Sequence, residues 1–174
     1  MQVEIREDER LDDLELKGLK IIQDPSKFCF GIDAVLLSDF AKVKSGENVL
    51  DIGTGTGIIA LLLSAKTDAK HITAVEIQPD MAEMAKRSVL YNDLQDRIEI
   101  ICNDIKRADS FIKKSSVDVV VSNPPYIKSS HAIVNPKDSL GIARHEIACT
   151  LEDIVSAASN MLKYHGRFYM IHKA

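Results

Sequence analysis

Short apolar runs alternate with longer amphipathic stretches from Glu47 onward. The runs read VLDI, ITAVEI, IEIIC, VDVVVS and RFYMIH, and helical spacing follows in stretches such as IIALLLSAK and DMAEMAKRSVLYN. Strands that alternate with helices in this way build βαβ crossovers, whose strands run parallel. The pattern therefore predicts an α/β fold with a mostly parallel sheet and helices on both faces.

The residues before this alternation predict a hairpin followed by a helix. The stretch LELKGLKIIQD alternates around Gly18, and Asp33 is predicted to cap the helix that follows. We expect one domain over 1–174, with 1–45 as a hairpin and helix extension and 46–174 as a Rossmann-like core. The predicted buried positions of the hairpin are Leu14, Leu16, Leu19 and Ile21.

The segment from Thr150 to Leu162 predicts a well-defined helix. Thr150 is a favourable N-cap residue, and Glu152 and Asp153 follow in the first turn. We interpret the segment as a packing helix, because its apolar residues form one stripe. The stripe consists of Leu151, Ile154, Val155, Ala158, Met161 and Leu162.

Composition indicates an ordinary globular chain. Of the 174 residues, 45% are apolar and 28% are charged. No apolar run approaches the roughly 18 residues that span a bilayer, and the acidic N-terminus lacks the pattern of a secretory signal, so we expect a cytoplasmic protein. Because Cys29, Cys102 and Cys149 are widely separated, neither a disulfide framework nor a metal site is predicted.

Charge is distributed unevenly along the chain. The formal net charge is −4, but residues 126–174 hold six Lys or Arg against four Asp or Glu. Four of the five histidines lie in the same segment. This mildly basic part permits an anionic partner there, although the imbalance is too small to demonstrate one.

The sequence DIGTGTG joins the first strand of the alternating region to the helix after it. Asp51 ends the strand, and Gly53, Gly55 and Gly57 tolerate positive φ and let a ligand approach bare backbone. The helix N-terminus that follows offers free N–H groups. The G-x-G-x-x-G pattern of dinucleotide-binding folds is not met, because Ile58 stands where its third glycine would be.

An acidic residue also ends or follows each of the next two strands. Glu76 ends ITAVEI, where a carboxylate can bind both ribose hydroxyls of a nucleoside. Asp104 follows IEIIC, where it can accept from an adenine amino group. Each acid alone is more simply a helix cap or a solvated turn residue, but three in register at one sheet edge predict a nucleoside-binding site.

The most specific four residues are Asn123-Pro124-Pro125-Tyr126, which follow VDVVVS. Asn123 Oδ1 and the Pro124 carbonyl are two acceptors that can take the two N–H groups of an amino group and fix its orientation. Tyr126 offers a flat face on which a base or a planar amide can stack. The alternative is that the consecutive prolines only end a strand.

Together DIGTGTG, AVEIQ and CNDI resemble the cofactor motifs of the class I S-adenosylmethionine-dependent methyltransferases. The resemblance implies that S-adenosyl-L-methionine is the cofactor, with Asp51 near its ammonium group and the glycines of DIGTGTG under it. It also implies that Glu76 binds the ribose and Asp104 the adenine. Ile77 and Ile105, which follow these two acids, are included among the implied cofactor contacts.

The NPPY motif resembles that of enzymes methylating adenine N6, cytosine N4 or protein glutamine N5. The stretch ERLDDLELKGLKIIQDPSKFCFGIDAVLLSDFA and the loop IARHE resemble the tRNA adenine-N6 methyltransferases that act beside the anticodon of a valine tRNA. This resemblance implies tRNA as the partner, and implies that Phe30 and Asp33 help to close over the cofactor. It further implies that RNA phosphate is contacted by Lys128, Arg144 and His145.

Three other functions stay open at this point, and one of them is methylation of an amino group in another nucleic acid. The glutamine-N5 methyltransferases of release factors share NPPY, although they usually carry a helical domain before the glycine motif. A scaffold that binds a nucleoside without catalysis is the non-enzyme alternative. Class I methyltransferases normally continue past the fifth strand into a helix and an antiparallel strand pair, so the fold is predicted with its C-terminal strands missing.

Overall fold

A computed structural model of the chain describes residues 3–27, 29–124 and 149–172. The strands are β1 (Arg10–Asp13), β2 (Lys20–Gln23), β3 (Asn48–Ile52), β4 (His71–Glu76), β5 (Ile98–Cys102), β6 (Val117–Ser122) and β7 (Leu162–Met170). The helices are α1 (Ile32–Phe40), α2 (Ile58–Lys66), α3 (Pro79–Tyr91) and α4 (Leu151–Met161), and a 3-10 helix spans Ile105–Ser110. Among these described residues, no helix has the length and apolar character that a membrane span needs.

The main sheet of the described residues has five strands in the order β5-β4-β3-β6-β7. Every neighbouring pair in it is parallel. The chain starts at the centre with β3, moves outward through β4 and β5, and returns to the other side of β3 with β6. The carboxyl ends of β3 and β6 are therefore neighbours at the point where the strand order reverses, which is where open α/β sheets bind ligands.

Helices cover both faces of this sheet, as the alternating pattern predicts. In β6, Val119 and Val121 belong to the core formed with α1, α2 and α3. Val117 and Val120 belong to a second core formed with α4 and the 3-10 helix. A strand that is buried on both sides reads as a continuous apolar run, which explains the composition of VDVVVS.

The predicted N-terminal hairpin is confirmed, because β1 and β2 pair antiparallel. Of its predicted buried positions, Ile21 is fully buried and Leu19 is 8% exposed. Leu14 and Leu16 are only half-buried, because they lie in the connection between the strands and pack at the margin of the core. Gly18 in this connection has a φ of 73°, which glycine adopts without steric cost.

The hairpin is fastened to α3 by side chains of that helix. The Ser88 hydroxyl accepts from the Ile22 N–H at 2.9 Å. Asn92 accepts from the Lys20 N–H at 2.9 Å and donates to the Lys20 carbonyl at 2.6 Å. These hydrogen bonds replace the pairing that another strand would give to β2.

The prediction that Asp33 caps α1 is wrong. The helix begins at Ile32, and its N-cap is Gly31, which makes no side-chain cap hydrogen bond. Gly31 already has the extended backbone that the N-cap position requires, with a φ of −110° and a ψ of −178°. Asp33 instead lies in the first turn, where a negative charge suits the helix dipole.

The N-terminus of α4 confirms Thr150 as the N-cap. Its hydroxyl accepts from the Asp153 N–H at 3.1 Å, and the Asp153 carboxylate accepts from the Thr150 N–H at 2.8 Å, which completes a capping box. The predicted apolar stripe is right at its centre and wrong at its margins. Ile154, Ala158 and Met161 are buried, whereas Leu151 and Val155 are exposed and Leu162 begins β7.

Candidate active site

The glycine turn between β3 and α2 lies at the carboxyl edge of the sheet. Gly53, Gly55 and Gly57 have φ values of 72°, 58° and 88°, which residues with a side chain rarely adopt. The N–H groups of Gly53 and Thr54 both donate to the Val75 carbonyl in β4, at 2.9 and 3.0 Å. Backbone hydrogen bonds therefore hold the turn against β4.

The space around these glycines differs. A Cβ at Gly53 would meet no heavy atom of the described residues within 4 Å, whereas a Cβ at Gly57 would lie 3.3 Å from the Cβ of Ala85 in α3. Gly57 thus allows α2 and α3 to approach each other. Gly53 leaves open space in which a ligand can come close to the backbone.

Asp51 of β3 is fully buried. Its Oδ2 accepts from the Thr54 hydroxyl at 2.5 Å, but its Oδ1 has no hydrogen-bond partner among the described residues. Burial raises the pKa of Asp51 to about 7. The Thr54 hydroxyl opposes this shift, the negative charge of Glu76 adds to it, and the Ala60 N–H makes the smallest opposing contribution. A cationic group from a ligand would give the buried oxygen the partner it lacks.

Glu76 ends β4, and backbone groups hold both of its carboxylate oxygens. Oε2 accepts from the Gly55 N–H and Oε1 from the Gln78 N–H, each at 2.9 Å. Each carboxylate oxygen has a further lone pair, so these bonds leave capacity for ribose hydroxyls. The residue thus also fixes the glycine turn to β4, a structural role that the sequence motif did not reveal.

Asp104 is the N-cap of the 3-10 helix. Its side chain accepts from the Lys106 N–H at 3.0 Å and lies 3.6 Å from Lys106 Nζ. The Asn103 side chain accepts from the Asp104 N–H at 2.8 Å. The Asp104 side chain is still 27% exposed, so the capping role leaves it accessible to a ligand.

A cleft opens at the carboxyl ends of β3, β4, β5 and β6. Its described lining consists of Ile52, Gly53, Val75, Glu76, Ile77, Gln78, Asn103, Asp104, Ile105, Pro124, Cys149 and Ile154. Half of these residues are predicted site residues that are far apart in the sequence, namely Gly53, Glu76, Ile77, Asp104, Ile105 and Pro124.

Other predicted site residues lie outside this lining. Phe30 is half-buried against the core of α1, α2 and α3, and its N–H donates to Gln23 Oε1 at 3.0 Å. Asp33 is half-buried in the first turn of α1. Their predicted role of closing over a cofactor stays a prediction. The remaining described site residues outside this lining are Asp51, Gly55, Gly57 and Asn123.

The predicted amine clamp directly follows β6. Asn123 is half-buried, and Pro124 is buried and lines the cleft. Just before them, the hydroxyl of the fully buried Ser122 donates to the Ile52 carbonyl at 2.8 Å. The predictions that lie outside the described residues are those for Tyr126, Lys128, Ile142–Glu146, Arg144 and His145.

Sequence reasoning missed several residues of the cleft. Asn103 precedes Asp104 in CND, so its neighbour could have indicated it. Gln78 could likewise have been inferred from the end of β4, two residues before it. Cys149 carries no such signal, because it reaches the cleft only through the position of α4, which begins two residues later.

The family described as methyltransferase small domain matches residues 19–174. The chain belongs to the methyltransferase small domain family. Its match includes the glycine turn, Glu76, Asp104 and the clamp residues, so the cleft lies entirely within the family's domain. The membership agrees with the resemblance that the cofactor motifs indicate.

Curated relatives of this chain are identical to it at about a third of the aligned positions. The tRNA1(Val) (adenine(37)-N6)-methyltransferase of Phocaeicola vulgatus is 37% identical over 155 residues, which are 89% of this chain and 64% of the relative. The enzyme of the same name from Porphyromonas gingivalis is 36% identical over 167 residues, covering 92% of this chain and 64% of the relative. The chain thus spans slightly less than two thirds of the length of these relatives.

A solved structure shows the same fold. TYW2 of P. horikoshii, in complex with MeSAdo, matches this chain with a TM-score of 0.62 at 17% identity, covering 91% of this chain and 50% of that one. At this identity the likeness concerns the fold alone. Together with the parallel sheet and the family match, it confirms the predicted Rossmann-like class I methyltransferase fold.

Proposed function

We propose that this chain is an S-adenosylmethionine-dependent methyltransferase that acts on the N6 atom of an adenine beside the anticodon of a tRNA. The observation that carries the proposal is the cleft, in which Pro124 of the clamp lies together with Glu76 and Asp104. Two residues assigned to the nucleoside and one residue assigned to the amine clamp thus line the same cleft. The relatives named as tRNA adenine-N6 methyltransferases support tRNA as the acceptor, and an acceptor of this kind supports a cytoplasmic location.

The residues at this edge fit S-adenosyl-L-methionine. The buried Oδ1 of Asp51 has no partner in the part of the chain that the structure describes, and it suits a cationic ammonium group. Glu76 keeps lone pairs for the ribose hydroxyls, and the accessible Asp104 suits an adenine amino group. Ile77, which is 37% exposed, and Ile105 give apolar contact to a flat base. When bound, the cofactor supplies an electrophilic methyl group on a sulfonium.

The clamp residues orient the acceptor nitrogen. Asn123 Oδ1 and the Pro124 carbonyl each accept one N–H of the amino group, which favours the pyramidal nitrogen that forms the new N–C bond. An exocyclic nitrogen conjugated with a ring has a poorly available lone pair, so this positioning lowers the barrier by on the order of several kcal/mol. Tyr126 provides the stacking face for the base, and the proton is lost to solvent after transfer.

RNA binding completes the proposal. Contacts with RNA phosphates are assigned to Lys128, Arg144 and His145, because proteins hold nucleic acids largely through the negatively charged phosphates of the nucleic-acid backbone. Phe30 and Asp33 are assigned to closing over the cofactor. Both assignments follow from the family resemblance.

The proposal is tested by transfer of labelled methyl groups from S-adenosyl-L-methionine to unmodified bulk tRNA and, in parallel, to release factors. The labelled product is identified after digestion. N6-methyladenosine from one tRNA supports the proposal, whereas label in glutamine places the chain among the protein-modifying enzymes. Cofactor binding without transfer to any acceptor supports the non-catalytic scaffold.

Asn123→Ala is expected to lower kcat by about 100-fold or more, because it removes one of the two acceptors that orient the amine. Cofactor affinity should stay within about twofold of the wild-type value, since Asp51, Glu76 and Asp104 are retained. Asn160→Ala, on the exposed face of α4, serves as the matched control. Loss of cofactor binding in the Asn123 variant, measured by calorimetry, would contradict the clamp role.

A further inference from the structure

Ser122, the residue before the clamp, links the ends of three neighbouring strands. It is the last residue of β6 and is fully buried. Its hydroxyl donates to the Ile52 carbonyl of β3 at 2.8 Å, and its own carbonyl accepts from the Ile171 N–H, just after β7, at 3.3 Å. This buried side chain has no part in the proposed chemistry described above.

The hydrogen bond to Ile52 lies where the pairing of β3 with β6 stops. Ile52 and Ser122 are the last paired residues of these two strands. Beyond them β3 turns into Gly53, which lines the cofactor cleft, and β6 continues into Asn123. The hydroxyl therefore adds one side-chain link at the point where the backbone links end. It connects the residue before the glycine turn to the residue before the clamp.

A comparison within the chain shows that a buried serine does not need such a link. Ser64 in α2 is 5% exposed, and its hydroxyl donates to the Leu61 carbonyl at 2.7 Å, three residues back in its own helix. Ser64 satisfies its hydroxyl locally, as serines in helices commonly do. Ser122 instead reaches across to another strand, 70 residues away in the sequence.

We infer that Ser122 is a positioning residue that sets the distance between the Asn123–Pro124 clamp and the glycine turn. The inference rests on the proposed function, in which the clamp holds the acceptor nitrogen and the turn lies at the methyl donor. Attack requires the two reacting atoms at a separation of about 3–3.5 Å, and a misplacement of about 1 Å can cost about 100-fold in rate. A link between the two segments that hold the reactants therefore acts on kcat.

The test compares Ser122→Ala with Ser64→Ala in the full chain. Ser122→Ala is expected to lower kcat by roughly tenfold or more, while cofactor affinity changes by less than about threefold, because the groups that hold the cofactor stay in place. Ser64→Ala also removes a buried hydroxyl and should leave kcat unchanged. Ser122→Thr keeps the donor and suits a strand, so it should restore most of the lost rate.

A kcat of Ser122→Ala within about twofold of the wild-type value would overturn the inference, and so would an equal fall in Ser64→Ala. The ratio of kcat values is measured with whichever acceptor the wild type methylates, so a protein acceptor would refute the proposed tRNA function without affecting this test. The backbone amide resonance of Gly53, which follows the Ile52 carbonyl, gives a readout without any acceptor. It should shift in Ser122→Ala and not in Ser64→Ala, and an unshifted resonance would also refute the role.

Discussion

Replacing Asp51 by Asn is expected to stabilise the ligand-free protein at pH 8 and to change the pH dependence of its stability. The wild-type carboxyl is fully buried, and burial raises its pKa to about 7. In an unfolded chain an aspartate has a pKa of about 3.9. The folded protein therefore holds this proton more tightly than the unfolded chain does.

The sign of the effect follows from this difference. Between about pH 4 and pH 7 the unfolded chain binds fewer protons at this site, so the free energy of unfolding decreases as the pH rises through that window. Above about pH 7 both states are ionised and the contribution is constant. The folded and unfolded pKa values of Asp51 differ by about three pKa units. At about 1.4 kcal/mol per pKa unit, ionisation of this carboxyl lowers the free energy of unfolding by at most about 4 kcal/mol. Asparagine does not titrate, and its amide oxygen can still accept from the Thr54 hydroxyl.

The same carboxyl makes ligand binding depend on pH. An ammonium group beside Oδ1 of Asp51 favours the ionised form and lowers its pKa. Binding of S-adenosyl-L-methionine below about pH 7 should therefore release a proton, and the affinity should increase between about pH 5 and pH 7. Asp51→Asn should bind the cofactor more weakly at pH 8 and lose this pH dependence.

Urea unfolding of the wild type and of Asp51→Asn at pH 5, 6, 7 and 8 measures the first effect. Calorimetric titration of the cofactor in two buffers of different ionisation enthalpy measures the proton released. Asp96→Asn replaces an exposed aspartate and provides the control. If the wild-type and Asp51→Asn stabilities differ by a constant amount at all four pH values, the reasoning from burial is refuted.

Two further substitutions test the packing and capping around the site. Gly57→Ala is expected to lower the free energy of unfolding by about 1–2 kcal/mol because of its left-handed backbone, and by more because the new Cβ would crowd Ala85. Gly46 also has a positive φ, of 81°, but no described atom would crowd a Cβ there, so Gly46→Ala should show the backbone cost alone. Equal losses of stability in urea unfolding would contradict the crowding at Gly57. Thr150→Ala removes the capping box with Asp153 and should lower the free energy of unfolding by about 1 kcal/mol. Thr150→Ser should retain most of that stability. A thermal midpoint that does not change in Thr150→Ala would show that the cap contributes nothing.

Local patterns in the sequence predicted the elements of this fold well. Apolar runs such as VDVVVS indicate buried strands because a strand covered on both faces excludes polar side chains. Thr150 indicates a helix start because its hydroxyl satisfies a backbone donor within three residues. Asp33 misled the prediction, because Gly31 supplies the N-cap geometry without any side-chain signal.

The residues of the candidate site at the carboxyl edge of the sheet were predictable where each one lies at or just after a strand end. They were unpredictable where contacts connect segments that are distant in the sequence. Glu76 and Asp104 could be placed, because parallel strands bring their carboxyl ends to one side. The hydrogen bond from Gly55 to Glu76 and the one from Ser122 to Ile52 join residues 21 and 70 positions apart. No local spacing encodes such pairs, since they depend on the register of the assembled sheet.

The attachment of the N-terminal hairpin to α3 also bears on self-association. An open strand edge offers unpaired N–H and C=O groups to strands of other molecules, and this is a common route to aggregation. On β2, β1 covers one edge, and on the other Ser88 and Asn92 already occupy the N–H groups of Lys20 and Ile22 and the Lys20 carbonyl. The helix that follows β4 thereby closes this edge of the hairpin to strand addition by another molecule.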